Sequence, residues 1–95
     1  MIKCVKPNNM YEIEYSKKVM KFLDKLDEKI YQRIRLKLLL LQKNPFDTTL
    51  NVKKMKNLEN TYRLRIGKIR ILYKIYKDKI LIFVFNMKYR GNIYK

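Results

Sequence analysis

Between Tyr62 and Tyr76 apolar and polar side chains alternate almost without a break, and the one interruption is Gly67-Lys68. Tyr62, Leu64 and Ile66 alternate with Arg63 and Arg65; Ile69, Ile71, Tyr73 and Ile75 alternate with Arg70, Leu72, Lys74 and Tyr76. Successive side chains of a strand point to opposite faces. A period of two on both sides of a glycine therefore describes two strands, each with one buried face, joined by a tight turn. Asp78-Lys79 marks a second turn, into a segment, Lys79–Met87, that is apolar on both faces. Such a strand is expected to be central in the sheet and covered on both sides. The C-terminal half thus predicts a three-stranded antiparallel meander, in which Tyr62, Tyr73, Phe83 and Phe85 read as core.

The N-terminal half keeps a different period. Tyr11, Ile13 and Tyr15 alternate with Glu12 and Glu14 as in a short half-buried strand. Ser16 can cap a helix by accepting a free amide proton of its first turn, and Val19, Phe22, Leu23 and Leu26 give that helix an apolar stripe. Asp27 and Glu28 suit the positive end of a second helix. Its stripe of Ile30, Ile34, Leu38 and Leu41 leaves Lys29, Arg33 and Lys37 to one side. Pro45 pushes Asn44 out of the α region and ends it. So short a break between two helices predicts an antiparallel hairpin. Residues 1–9, with Pro7, Asn8 and Asn9, read as an irregular arm. Phe46–Asn60 reads as a loop of turn-forming residues with room for a short strand, carrying Lys53, Lys54 and Lys56. The order strand, helix, helix, loop, three strands predicts one α+β domain over residues 1–95, with the helical pair on one face of a single sheet.

Charge narrows the function. The 95 residues hold 24 Lys and Arg against 8 Asp and Glu, a net charge of +16. Residues 51–95 carry 13 of the basic residues and only Glu59 and Asp78 of the acids. Lysine-rich surfaces elsewhere are usually balanced by glutamate in ion-pair networks. This one is not, and such a field draws a polyanion, of which nucleic acid is the commonest in a cytoplasm. Cys4 is the only cysteine, which points to a reducing compartment. The N-terminus shows no cleavable signal pattern, and the longest purely apolar run, Ile80–Phe85, is far short of the ~20 residues that span a bilayer. The expectation is a soluble, cytoplasmic protein without a membrane partner.

Several chemistries are ruled out by residue type. With no histidine, no cysteine pair and no carboxylate cluster among the strands, neither a zinc site, a two-metal nuclease nor a Ser-His-Asp triad is expected. Gly67 and Gly91 do not make a phosphate loop. No metal or cofactor is expected, and catalysis would fall to Lys, Arg and Tyr. Arg63 and Arg65 project from one strand face, Arg70 across the turn can join them, and Lys88, Arg90 and Tyr94 follow the last strand. Guanidinium groups clustered on a sheet recognise phosphate in a planar, bidentate way. Alternating arginines also describe an ordinary solvated face, and a tyrosine near a C-terminus more often packs. Three arginines with no acid to pair with favour the phosphate site.

The run Tyr62-Arg63-Leu64-Arg65-Ile66-Gly67-Lys68-Ile69-Arg70-Ile71-Leu72-Tyr73 resembles the core motif of the RelE/ParE superfamily of toxins, in its RelE-like branch. Tyr15-Ser16-Lys17-Lys18 is similar to the family's step from first strand to first helix. Phe22-Leu23-Asp24-Lys25-Leu26 and Asn44-Pro45-Phe46 resemble its hairpin and exit, and Lys53-Lys54-Met55 its loop. Arg90-Gly91-Asn92-Ile93-Tyr94 is similar to its tail, and the resemblance runs over residues 11–94. It implies a RelE-like fold and the toxin of a toxin–antitoxin pair that enters the ribosomal A site and cleaves mRNA. In that reaction the 2′-hydroxyl attacks the adjacent phosphate without a metal. It also implies a heteromeric complex with an acidic, amphipathic antitoxin of the RelB kind.

Carried onto this sequence, the resemblance assigns catalysis to Arg70 at the scissile phosphate, Arg65 beside it, and Arg90 and Tyr94 at the cleaved bond. It assigns RNA and ribosome binding to Lys53, Lys54, Lys56, Arg63, Lys68 and Lys88, with Lys88 an alternative to Arg90. Many members use a histidine as acid or base; this chain has none, so its proton transfers must differ. Two other readings stand beside this one. A ParE-like gyrase-poisoning toxin would share the fold without the Arg-and-Tyr tail. A non-catalytic nucleic-acid-binding domain would bind RNA with steep salt dependence and leave it intact.

Overall fold

The computed structural model describes residues 10–47 and 49–89. The irregular arm expected over residues 1–9 lies outside them. The elements are β1 (Glu12–Tyr15), α1 (Lys17–Asp24), α2 (Glu28–Lys43), β2 (Val52–Lys54), β3 (Thr61–Ile66), β4 (Ile69–Tyr76) and β5 (Leu81–Tyr89).

The helices begin and end where side-chain chemistry dictates. Ser16 Oγ accepts from Val19 N at 3.2 Å and opens α1. Asp27 accepts from Lys29 N at 3.2 Å and opens α2. Asn44, before Pro45, is extended and closes α2. Val19 from α1 and Ile34, Leu38 and Leu41 from α2 are buried, and they form one core with the inward residues of β3, β4 and β5. No helix of the described residues is long and apolar enough to cross a membrane.

The sheet has five strands in the order β1-β5-β4-β3-β2. The expected antiparallel meander is β3, β4 and β5. β1 lies parallel to β5, with Ile13 opposite Ile82 and Tyr15 opposite Val84. A parallel pair needs a long crossover, and α1 and α2 are part of it. The sheet is therefore mixed, and the short strand for which the 46–60 loop left room is β2, antiparallel to β3. Three residues carry no period of their own. β2 exists because β3 bonds it at both ends: Arg65 N donates to Asn51 O (3.0 Å) and Met55 N to Thr61 O (2.9 Å).

A correction concerns β5. It is internal, as its apolar character predicts, but only one of its faces is fully covered. Ile82, Val84 and Met87 are buried in the helix-covered core, whereas Leu81, Phe83 and Phe85 are half-buried. Phe83 is flanked on the other face by its ladder partners Glu14 and Lys74 rather than by a second layer. Phe83 and Phe85 are thus not core residues, while Tyr73 is buried and stacks on half-buried Tyr62 with centroids 5.8 Å apart. Burial, and next the neighbouring Tyr62, push the Tyr73 hydroxyl pKa well above its ordinary value.

Candidate nucleic-acid interface

The site follows from the register of β3 on β4. Arg65 stands opposite Arg70, and Arg63 opposite Leu72. Residues opposed across a ladder share a face. All three arginines therefore lie on the face away from buried Leu64, Ile66, Ile69 and Ile71. On β5 the partner of Arg70 is Lys88 and that of Leu72 is Asn86; on β2 the partner of Arg63 is Lys53. Two rows cross the open face: Arg65, Arg70, Lys88, and beside it Lys53, Arg63, Leu72, Asn86.

Lys88 reaches that row through an irregularity. Ile82 and Val84 point into the core, so strict alternation would send Asn86 and Lys88 there as well. The register instead slips: Tyr73 pairs with Val84 but Leu72 with Asn86, leaving Phe85 as an extra residue. A β-bulge of this kind reverses the phase of everything beyond it. Met87 is buried as a result and Lys88 turns to Arg70's face. The bulge is held from the side by Ser16, whose N donates to Val84 O (3.0 Å) and whose Oγ donates to Phe85 O (3.4 Å).

Like charges directly opposed across a sheet repel, and water usually relieves them. Here it does so incompletely, because Arg63, Arg65 and Arg70 are half-buried. The Nε–H groups of Arg63 and Arg70 are shielded from solvent with no hydrogen-bond partner among the described residues, and so is the side-chain oxygen of Asn86. An unmet buried donor costs about 1–3 kcal/mol, more when it is charged. A face whose arginines simply reached into water would not carry that cost. Rows of cations with unfilled donors are suited to an anion that brings several acceptors at once.

The family follows from comparison. A family model described as the ParE toxin of the type II toxin–antitoxin system, parDE, matches residues 13–94. The chain belongs to that toxin family. A relative in Methanocaldococcus jannaschii, provisionally named as the toxin RelE1, is 28% identical over 86 residues, covering 90% of this chain and 96% of the relative. Among solved structures, a chain of the archaeal RelE–RelB complex of Pyrococcus horikoshii is 26% identical with a TM-score of 0.77, covering 86% of this chain and 97% of that one. A chain of the RelB–RelE complex of Methanococcus jannaschii is 27% identical with a TM-score of 0.65, covering 79% and 87%. The resemblance to the RelE/ParE superfamily noted in the sequence is thereby established.

On this toxin the structure gathers some of the expected site residues and separates others. Arg63, Arg65, Arg70, Lys88 and Lys53 share the open face, and Lys68 stands exposed in the β3–β4 turn. Lys54 pairs with Tyr62 and so belongs to the helix side of the sheet, and Lys56 is exposed in the loop beyond it. Neither joins the rows. Arg90 and Tyr94 lie outside the described residues. Two residues escaped the sequence reading. Asn86 has no sequence signal, since its face depends on the bulge. Arg33, set aside as off the helical stripe, places its guanidinium 3.3 Å from where a Cβ on Gly67 would sit, beside Lys68. Gly67 itself has φ +56°, which favours glycine there.

Proposed function

We propose that this toxin is an endoribonuclease that acts in the cytoplasm, cleaves mRNA in the ribosomal A site, and is silenced in a heteromeric complex by an acidic, amphipathic antitoxin. The observation that carries the reading is the pair of cationic rows with unfilled Nε–H donors on Arg63 and Arg70. In the reaction the 2′-oxygen forms a bond to the adjacent phosphorus, the bond to the 5′-oxygen breaks, and a proton moves from the first oxygen to the second. The phosphate passes through a state with a second negative charge. Arg70, between Arg65 and Lys88, holds that charge, and fixed donors of this kind are most effective where solvent is thin. Arg63 and Lys53 hold the neighbouring phosphate, and Asn86 offers an acceptor to a ribose hydroxyl or base. Arg90 and Tyr94 complete the site from the tail, with no metal needed.

The antitoxin half of the reading draws on charge and on likeness. A net charge of +16 favours an acidic partner, and the two archaeal relatives of known structure were solved as RelE–RelB complexes. The family's name supports one other reading, a ParE-like toxin that poisons gyrase. Purified toxin added to programmed ribosomes, and separately to gyrase with relaxed plasmid, decides between them. Cut mRNA with unimpaired supercoiling is the expected result, and an Arg90→Ala/Tyr94→Phe variant should leave the mRNA intact. Blocked supercoiling with whole mRNA would replace this reading by the gyrase one.

A further inference from the structure

We propose that the groove between α1 and the end of β5 is a second RNA-binding site, which takes the sugar–phosphate backbone of the same single strand that lies on the arginine rows. It rests on the reading of those rows as an RNA site and extends it to residues outside the assigned set.

The groove arises because β1 stops early. Tyr15, its last residue, pairs with Val84, so β5 continues past Val84 without a strand neighbour on that side among the described residues. Ser16 turns the chain there and α1 runs alongside instead. Between them lies a cleft of about 570 Å³ with Phe22 and Met87 on its floor. Lys17, Lys18, Lys21 and Lys25 stand on one side and Lys88 on the other.

Three features of the cleft select a phosphate backbone. Lys17, Lys21 and Lys25 follow one another at four-residue intervals, so they share a helix face and rise by ~6 Å from each to the next. That interval is comparable to the step between successive phosphates of a nucleic-acid strand. Next, the first turn of α1 runs against the helix dipole. It holds Lys17 and Lys18 and no acid, where the positive end of a helix prefers acids; only toward the other end, at Lys21 and the C-cap Lys25, does the dipole favour the cations. Finally, Lys88 belongs to both places, as the partner of Arg70 in the row and as a wall of the groove. A strand leaving Arg70 along β5 enters the groove directly. Phe22 pairs with Tyr89 at 5.7 Å between centroids, and Tyr89 is 49% exposed. Those rings offer a base somewhere to stack.

The test uses the whole toxin and 2′-deoxy-substituted oligonucleotides that cannot be cleaved. One length, of about four nucleotides, covers the rows alone, and another, of about twelve, reaches the groove. Wild type should bind the longer one more tightly and with a steeper salt dependence. In a Lys17→Gln/Lys21→Gln/Lys25→Gln variant the longer oligonucleotide should lose that advantage, its salt slope falling by ~2 because each phosphate contact contributes ~0.7. Binding of the shorter one should be unchanged. An Arg63→Ala/Arg70→Ala variant should weaken both lengths. If the lysine variant keeps the full length advantage while the arginine variant weakens both, the groove proposal is wrong and the row site stands. If the arginine variant weakens neither, the row site itself fails. If an acidic amphipathic peptide needs the three lysines and the longer oligonucleotide does not, the groove is a protein-docking face and the proposal is overturned.

Discussion

β4 carries the same alternation on both of its faces, yet the two faces end in different states. On one, Ile69, Ile71, Tyr73 and Ile75 are buried under the two helices. On the other, Arg70, Leu72, Lys74 and Tyr76 are half-buried with no layer above them among the described residues. The first face is finished: its apolar atoms have packed and little is left to bind. The second is crowded enough to shield donors on Arg63 and Arg70 but supplies them with no acceptors among the described residues. Apolar atoms can be satisfied by the fold alone, because any close-packed neighbour will do. The guanidinium groups of Arg63 and Arg70 need an anion, and their ladder neighbours Lys53, Arg65 and Lys88 are themselves cationic.

The comparison is easiest to break at its largest contrast. Ile71→Ala, on the finished face, should cost about 2–5 kcal/mol of stability, because a fully buried side chain leaves a cavity behind. Chemical denaturation measures it, and a change well under that range would mean the inner face is loosely packed. Arg70→Ala, one residue away, should leave stability unchanged or raise it, since it removes an unmet donor, while lowering mRNA cleavage by ~10²–10³. A melt run beside a ribosome cleavage assay checks both halves. Unfolding of this variant would make Arg70 structural, and undiminished cleavage would remove it from the site.

Smaller effects sharpen the picture. Ser16→Ala should cost about 0.5–2 kcal/mol, since it removes the cap of α1. Because Ser16 also holds Phe85 O, the change should loosen the bulge, which amide hydrogen exchange at Phe85 and Asn86 would detect. Tyr73→Phe should leave stability unchanged or raise it by up to ~1 kcal/mol. The hydroxyl it removes is buried without a partner among the described residues, so none of them is orphaned by its loss. Destabilisation in denaturant would show that the hydroxyl is paired after all. The smallest effect belongs to Asp47, in the loop after α2. Hydrogen bonds from the Thr49 backbone, and then from its side chain, hold the Asp47 carboxyl below its ordinary value. A lowered folded-state pKa contributes stability above the usual carboxylate range and loses it as pH falls through the lowered value. Asp47→Asn should abolish that small acid-limb dependence, and an NMR titration of the carboxyl would show the lowered midpoint directly.

How far the sequence could be read depended on whether a residue's position followed from its neighbours along the chain. Arg63, Arg65 and Arg70 sit in strands of strict period two around a glycine turn, and their shared face could be inferred before any fold was known. The stripe from Ile34 through Leu38 to Leu41 was legible for the same reason. β2 was legible only as room for a short strand in the 46–60 loop, because three residues hold no period and its hydrogen bonds come from β3. The bulge at Phe85 was hidden more deeply. Between Lys79 and Met87 the chain is apolar on both faces, so there is no alternation whose interruption could be noticed. With the bulge went the face of Asn86 and the approach of Lys88 to Arg70. The mixed pairing of β1 with β5 also depends on packing across the crossover, which no local pattern encodes.

The central claim is that the open face binds RNA by filling the empty Nε–H donors of Arg63 and Arg70. The most direct test follows the side-chain Nε–Hε resonances by heteronuclear NMR while a non-cleavable RNA oligonucleotide is added. The resonances of Arg63 and Arg70 should shift and exchange more slowly with water as RNA binds, while the amides of the inner residues Ile71 and Tyr73 stay where they are. RNA that binds tightly and leaves both Nε–Hε resonances unmoved would contradict the account.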